Sequence, residues 1–193
     1  MVIAIKPATG KHLFRSSTIN LPAAARLFCF LFVLVFQCSE IQAQDKDYSV
    51  HANIIYRFTR YIDWPAAQKE GDFIIGIVGD SPLYDELKKT MTNKTVGDQK
   101  IIIRKFSSTA VSFNCEILFI SEEESGNIKK IVLRTANQPI LLLSESDGLA
   151  EKGSCINFNI VSDHLKLEIN KSTILQRNLS IASELLQLGK IVK

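Results

Sequence analysis

Two acidic positions carry the residue types from which a hydrolytic or ligand-binding site could be built. Asp80 follows the apolar run Phe73–Val78 after one glycine, and Glu122 opens an acidic run directly after Cys115–Ser121. Open α/β sheets bind ligands at the carboxyl ends of their strands, where both carboxylates would then lie. Asp80 also fits a turn that bonds its own backbone, and acidic residues favour the N-terminus of a following helix.

Motifs of the common enzyme classes are missing from the chain. Gly76–Gly79 does not match the G-x-G-x-x-G fingerprint, and there is neither a G-x-x-x-x-G-K-[ST] phosphate loop nor a G-x-S-x-G elbow. His51 and His164 lie far apart in sequence and lack zinc-ligand spacing. The sequence therefore predicts no catalytic residue, no metal site and no cofactor.

A second kind of candidate site combines arginine with tryptophan and asparagine. Arg57, Arg60 and Trp64 lie towards the end of the predicted first helix, and Arg177 and Asn178 lie at a break in the last helical segment. Arg and Trp often dominate interface energies because they combine contact area with directional donors. If the two helical segments pack together, these five residues border one partner- or ligand-binding surface. Otherwise Trp64 belongs to the core and the arginines are solvated.

The elements that must position these residues alternate between helix and strand. A helix is predicted over about 50–63 from its apolar spacing, and Trp64 ends it because the following proline disfavours helical conformation. Phe73–Val78 is typical of a central strand, and Ser81 caps a helix that reaches about Met91. Further strands are predicted over 100–106, 115–121 and 139–144, with a helix over about 122–135. This alternation predicts an α/β fold with a largely parallel sheet.

The end of the chain departs from that alternation of helices and strands. Residues 154–160 and 164–170 both alternate apolar with polar side chains and are separated by three residues, which predicts an antiparallel hairpin at the sheet edge. Residues 171–192 carry apolar positions at helical spacing. We expect an interruption at Asn178–Ser180, with Ser180 as the N-cap of a second helix.

Residues 1–43 are typical of a secretory signal peptide. Four basic residues precede the apolar run Leu27–Phe36, which is about half the length of a membrane span. Cleavage is expected after Ala43, and an uncleaved anchor is the alternative. Residues 44–193 then form one domain. Since residues 1–43 hold four of the 23 basic and one of the 20 acidic residues, 19 of each remain, and nucleic-acid binding has no support from charge.

Removal of the signal peptide leaves two cysteines, Cys115 and Cys155. In an oxidising compartment such a pair can form one disulfide, so both are disulfide candidates. They open separate predicted strands, and the sequence does not fix the distance between them. Two buried, reduced thiols are the alternative.

The order of these pieces is similar to that of a known family. The first helix and its end read ANIIYRFTRYIDWP, and the central strand and its turn read FIIGIVGD. Together with Cys115–Ile120, Gly153–Phe158, Leu165–Asn170 and Leu179–Leu186, in this order, they resemble the YfiR-like periplasmic proteins. The resemblance covers essentially all of residues 44–193.

The resemblance implies a Rossmann-like α/β sandwich without catalytic activity, located in the periplasm, whose first and last helices pack together. It implies a regulator that restrains an inner-membrane signalling protein, a diguanylate cyclase or a similar receptor, and that an outer-membrane-associated partner releases. The resemblance also allows binding of a small ligand and formation of a homodimer. The best-known members have two disulfides, whereas Cys115 and Cys155 allow one at most. The alternative is a secreted α/β hydrolase or solute-binding protein acting at the carboxyl ends of the strands.

Overall fold

The structure is a computed structural model that describes residues 46–162 and 164–193, so the predicted signal peptide and its cleavage site lie outside the described residues. The α-helices of the described chain are α1 (Tyr48–Tyr61), α2 (Leu83–Met91), α3 (Ile128–Arg134), α4 (Lys171–Gln176) and α5 (Ser183–Leu186), and two 3₁₀ helices cover Ala66–Gln68 and Glu122–Asn127. Its strands are β1 (Ile62–Asp63), β2 (Phe73–Val78), β3 (Thr95–Val96), β4 (Gln99–Phe106), β5 (Ile117–Ile120), β6 (Leu141–Ser144), β7 (Ile156–Val161), β8 (His164–Asn170), β9 (Ser180–Ile181) and β10 (Lys190–Val192).

The main sheet has the spatial order β10-β8-β7-β6-β5-β2-β4-β3. Strands β4, β2, β5, β6 and β7 are parallel neighbours, which confirms the predicted α/β class with a largely parallel sheet. The order reverses between β2 and β5, as in doubly wound folds. Strands β7 and β8 form the predicted antiparallel pair. A separate two-stranded sheet pairs β1 with β9.

Strand β2 is the centre around which this sheet is built. It pairs with β4 on one side and β5 on the other, and five of its six residues are buried. Gly76 is required at its middle because a Cβ there would come within 2.7 Å of the Phe106 ring. Helix α2 follows, and the Ser81 hydroxyl accepts a hydrogen bond from the Leu83 N–H at 3.2 Å, the cap that the sequence predicts.

The C-terminal segment differs from the helix that the sequence predicts there. Ser180 does not cap a helix, because it belongs to β9 and pairs with Asp63 of β1. The predicted helix over the last residues is limited to the four residues of α5. Strand β10 then runs parallel to β8 and forms the edge of the sheet, so the β7–β8 hairpin is not outermost. Short segments of this kind take the structure that their distant hydrogen-bond partners offer.

The disulfide between Cys115 and Cys155 is not formed in this structure. Both are free, buried thiols. Cys115 precedes β5 and Cys155 precedes β7, with β6 lying between those strands. Two inter-strand spacings separate them by about 10 Å across the sheet, beyond the Cα distance of about 7 Å that a disulfide spans.

Candidate functional site

Helix α1 presents two arginines on its solvent side. The helix buries His51, Ala52, Ile55 and Phe58 on one face, whereas Arg57 and Arg60 are exposed. The Arg60 guanidinium lies 5.7 Å from the centre of the Tyr56 ring, a cation–π contact that restricts its position. Because α1 contains no acidic residue, the charge of this exposed face is positive.

Trp64 is a core residue, so it does not lie on that exposed face. Its side chain is only 5% exposed and packs edge to face on the Phe73 ring, with centroids 5.1 Å apart. Its indole N–H donates to the Glu116 backbone carbonyl at 3.2 Å. The Glu116 carboxylate accepts the Ile74 N–H at 2.6 Å, and burial raises the pKa of this carboxyl group. Trp64 thus anchors the end of α1 to the start of two central strands.

Arg177 is also buried, at 3% exposure. Its guanidinium donates to the Thr135 carbonyl at 2.7 Å and to the Thr135 hydroxyl at 3.2 Å, at the end of α3. Burial lowers the pKa of this guanidinium. The next residue, Asn178, is exposed and adopts a left-handed conformation with φ of 56°, which asparagine tolerates better than most residues. Arg177 therefore positions the turn that presents Asn178.

The structure brings the end of α1 and the C-terminal turn together. Ile62 pairs with Ile181, and the Ala182 N–H donates to the Tyr61 carbonyl at 2.8 Å. Asn178 lies two residues before β9, and because β9 is antiparallel to β1 it extends past Asp63, whereas Ala182 lies at the end of the helix that carries the exposed arginines. Of the five residues predicted for one surface, three are exposed, namely Arg57, Arg60 and Asn178, and two are buried in the core, namely Trp64 and Arg177.

The carboxyl ends of β2 and β4 are joined by an ion pair. The Asp80 carboxylate lies 2.9 Å from the Lys105 ammonium, and this hydrogen bond lowers the pKa of the aspartate. The Asp80 N–H donates to the Glu123 carboxylate at 3.3 Å. Gly79 has φ of 87°, and a Cβ there would overlap the Ser121 side chain. The Asp80 carboxylate is therefore paired with Lys105, although its side chain is 85% exposed.

A further carboxylate at this edge, in addition to Asp80 and Glu122, was missed by the sequence analysis. Glu145, directly after β6, buries its side chain and accepts hydrogen bonds from the Tyr48 hydroxyl at 3.0 Å and the Glu122 N–H at 3.1 Å. Lys46 pairs with both Glu122 and Glu145. The only sequence signal was a charged residue immediately after a nearly all-apolar strand. Glu122 is thus tied to the start of the domain, as Asp80 is tied to β4.

His51 lies beneath this cluster on the buried face of α1. Its ring packs between Tyr48 and Phe158, at centroid distances of 5.1 Å and 4.8 Å, and one ring nitrogen lies 3.2 Å from the Asp47 carbonyl. Burial lowers the pKa of this imidazole. His51 is therefore a packing residue that connects the first helix to β7.

Within residues 46–162 and 164–193, no group of side chains could hold a metal ion, and no helix is long and apolar enough to cross a membrane. A search of curated proteins gives no match. A protein-family model described as YfiR/HmsC-like matches residues 48–190, nearly all of the described chain. That family comprises periplasmic, non-catalytic regulators of diguanylate cyclase signalling. The extent of the match shows that this chain belongs to the YfiR/HmsC-like family.

Proposed function

We propose that this protein is a non-enzymatic periplasmic regulator that binds and restrains an inner-membrane signalling protein, a diguanylate cyclase or a similar receptor. The observation that carries the proposal is the family match over residues 48–190. The Rossmann-like domain would act as a scaffold that presents surfaces for binding partners. An outer-membrane-associated protein or a small ligand would release the restraint.

The proposed contact surface consists of Arg57, Arg60 and Asn178. Its support is that all three side chains are exposed, the two arginines on α1 and Asn178 in the turn before β9. Neither arginine forms an ion pair with any described residue, so both guanidinium groups are available to carboxylates of a partner. Trp64 and Arg177 are positioning residues that hold this surface in place.

The carboxyl edge of the sheet also favours a scaffold over a hydrolase. Asp80 and Glu122, the two carboxylates of the alternative function, are each paired with a lysine of the same chain. A general acid or a nucleophile would have to leave such a pair before it could meet a substrate. Because the side chains of Glu122 and Asp80 are 66% and 85% exposed, each pair contributes little to the stability of its loop.

Co-purification from membranes tests the proposal. A tagged copy of the protein should recover an inner-membrane signalling protein in gentle detergent, and Arg57→Glu with Arg60→Glu should reduce the recovery at least about tenfold, because two cationic contacts become repulsive. Loss of restraint should also raise cyclic di-GMP in cells that carry this double variant.

The matched control is Lys129→Glu with Lys130→Glu, an equal charge reversal at exposed positions of α3. Both double variants should unfold within a few degrees of the wild type, since exposed substitutions usually cost no more than about 0.5 kcal/mol each. Recovery of no membrane protein by the wild type would refute the proposed function. Equal recovery by the α1 variant and the wild type would refute this surface while leaving the function intact.

A further inference from the structure

Among the residues that the structure describes, no strand covers one edge of β4 for most of its length. On one side, residues 101–106 pair with β2, whereas β3 covers only Gln99 and Lys100 on the other side. Val96 and Gln99 flank the two-residue turn of this hairpin and therefore form its closing hydrogen-bonded pair. Backbone groups alternate in direction along a strand. Ile103 and Lys105 consequently turn their N–H and C=O groups towards the open side.

A groove of about 630 Å³ runs along the start of this edge, between β4 and the end of α2. Its apolar lining includes Met91 and the three isoleucines Ile101–Ile103. Its charged lining residues are all lysines, namely Lys88, Lys94 and Lys100. None of these three forms an ion pair with a described residue. Asp85 and Glu86 lie on α2 outside the groove lining, and Glu86 is paired with Lys89.

The charge of this strand argues against pairing with a second copy. Lys100, Arg104 and Lys105 are three exposed cations within one strand, and of these only Lys105 forms an ion pair with a described residue, Asp80. An antiparallel pair of β4 strands centred near Ile102 would set Lys100 opposite Arg104 or Lys105. Like charges directly opposite each other destabilise a strand pair, and charged residues are a common means of protecting an edge from self-association.

We propose that the β4 edge is a docking site for an extended, acidic segment of a partner protein, which adds a strand beside Ile103 and Lys105. Its backbone would pair with the open groups of β4, and its carboxylates would meet the lysines of the groove. The groove borders the arginine surface of α1, because Lys94 and Arg60 lie 4.4 Å and 5.7 Å from the centre of the same Tyr56 ring. Strand addition at Ile103 and Lys105 is a separate contact, and it is tested below without the membrane protein, so its failure is distinguishable from failure of the proposed function.

A pair of synthetic peptides tests this inference on the ¹⁵N-labelled protein purified from the periplasm. The first is a blocked peptide of about eight residues in which valine alternates with glutamate, long enough for one strand. The second has lysine in place of each glutamate. The glutamate peptide should shift the amide signals of Ile103 and Lys105 and slow their hydrogen exchange, and the lysine peptide should leave both unchanged.

Two variants separate charge from backbone pairing. Lys88→Glu with Lys100→Glu should weaken binding of the glutamate peptide at least about tenfold, because two attractive contacts become repulsive. Ile103→Pro removes an N–H that faces the open side, which an edge strand tolerates, and should abolish binding. If the proline variant fails to fold, the lysine variant, whose substitutions are both exposed, decides the test.

Several outcomes would overturn the inference. These are equal binding of the two peptides, signal changes confined to other elements, and the absence of any change with the glutamate peptide at millimolar concentration. A dimer of the free protein that dissociates in the Lys88→Glu, Lys100→Glu variant would show instead that a second copy occupies this edge.

Discussion

Replacement of Trp64 distinguishes a positioning role from direct recognition. Trp64→Ala should lower the free energy of unfolding by about 3–5 kcal/mol, the usual cost of deleting a buried large aromatic side chain. Trp64→Phe keeps a ring against Phe73 and loses the hydrogen bond to the Glu116 carbonyl. That carbonyl also accepts the Leu141 N–H at 2.9 Å, so it is not left without a partner. The phenylalanine variant should therefore lose only about 1–2 kcal/mol.

Urea unfolding measures both losses. It is followed by far-ultraviolet circular dichroism rather than by fluorescence, because both variants lack the only tryptophan of the chain. With a slope of about 2 kcal/mol per molar urea, the midpoint should fall by about 2 M for Trp64→Ala and by about 0.5–1 M for Trp64→Phe. Leu133→Ala, at a position 77% exposed on α3, is the control and should shift the midpoint little.

Binding then separates the two roles. If Trp64 positions the surface, Trp64→Phe should retain binding to the membrane partner, because Arg57, Arg60 and Asn178 remain in place. The reasoning fails if Trp64→Ala is as stable as the control variant. It also fails if Trp64→Phe keeps its stability but loses the partner, since that pattern belongs to a residue in direct contact.

Three further predictions concern a turn, a buried base and the thiols. Gly79→Ala should lower the free energy of unfolding by at least about 2 kcal/mol, because alanine is strained at φ of 87° and its Cβ overlaps Ser121; unchanged urea unfolding would contradict this. Because burial holds the pKa of His51 below its ordinary value of 6.5, the unfolded chain binds the proton more tightly, and stability should be constant above pH 6.5 and fall as the pH drops below it. Unfolding at several pH values should show this loss in the wild type and less of it in His51→Phe, and equal slopes would refute it. Burial raises the pKa of both thiols, that of Cys155 to about 11, so Cys115 and Cys155 should resist a thiol reagent in the folded protein. Because both thiols are free, a reductant should leave the melting temperature unchanged, and a fall in melting temperature would indicate a disulfide.

The sequence by itself determined the elements whose patterns are local. The apolar run of β2, the cap at Ser81 and the stripe of α1 each follow from the spacing of neighbouring side chains, and the structure has these elements within about two residues of their predicted bounds. The alternation of apolar and polar side chains in β7 and β8 likewise indicated an antiparallel pair in which one face is more exposed than the other. These patterns also sufficed for the α/β class, since helices between strands require parallel crossovers.

The tertiary structure alone decided which candidate residues are accessible. Trp64 and Arg177 are of residue types that are common at interfaces, yet both are buried. Burial is possible because their polar groups form hydrogen bonds with Glu116 and Thr135, more than 40 residues away in sequence. Local sequence could not show those partners. The role of Glu145 was hidden for the same reason, since its donors come from the start of the domain and from the loop after β5.

The end of the chain shows the same division most clearly. Residues 180–192 have apolar positions compatible with a helix, but β9 and β10 have two and three residues, and isolated segments of that length have no stable structure of their own. Their hydrogen bonds come from β1 and β8. Because pairing with a strand formed elsewhere in the chain satisfies their backbone groups, tertiary contacts override the weak local preference for helix in this segment.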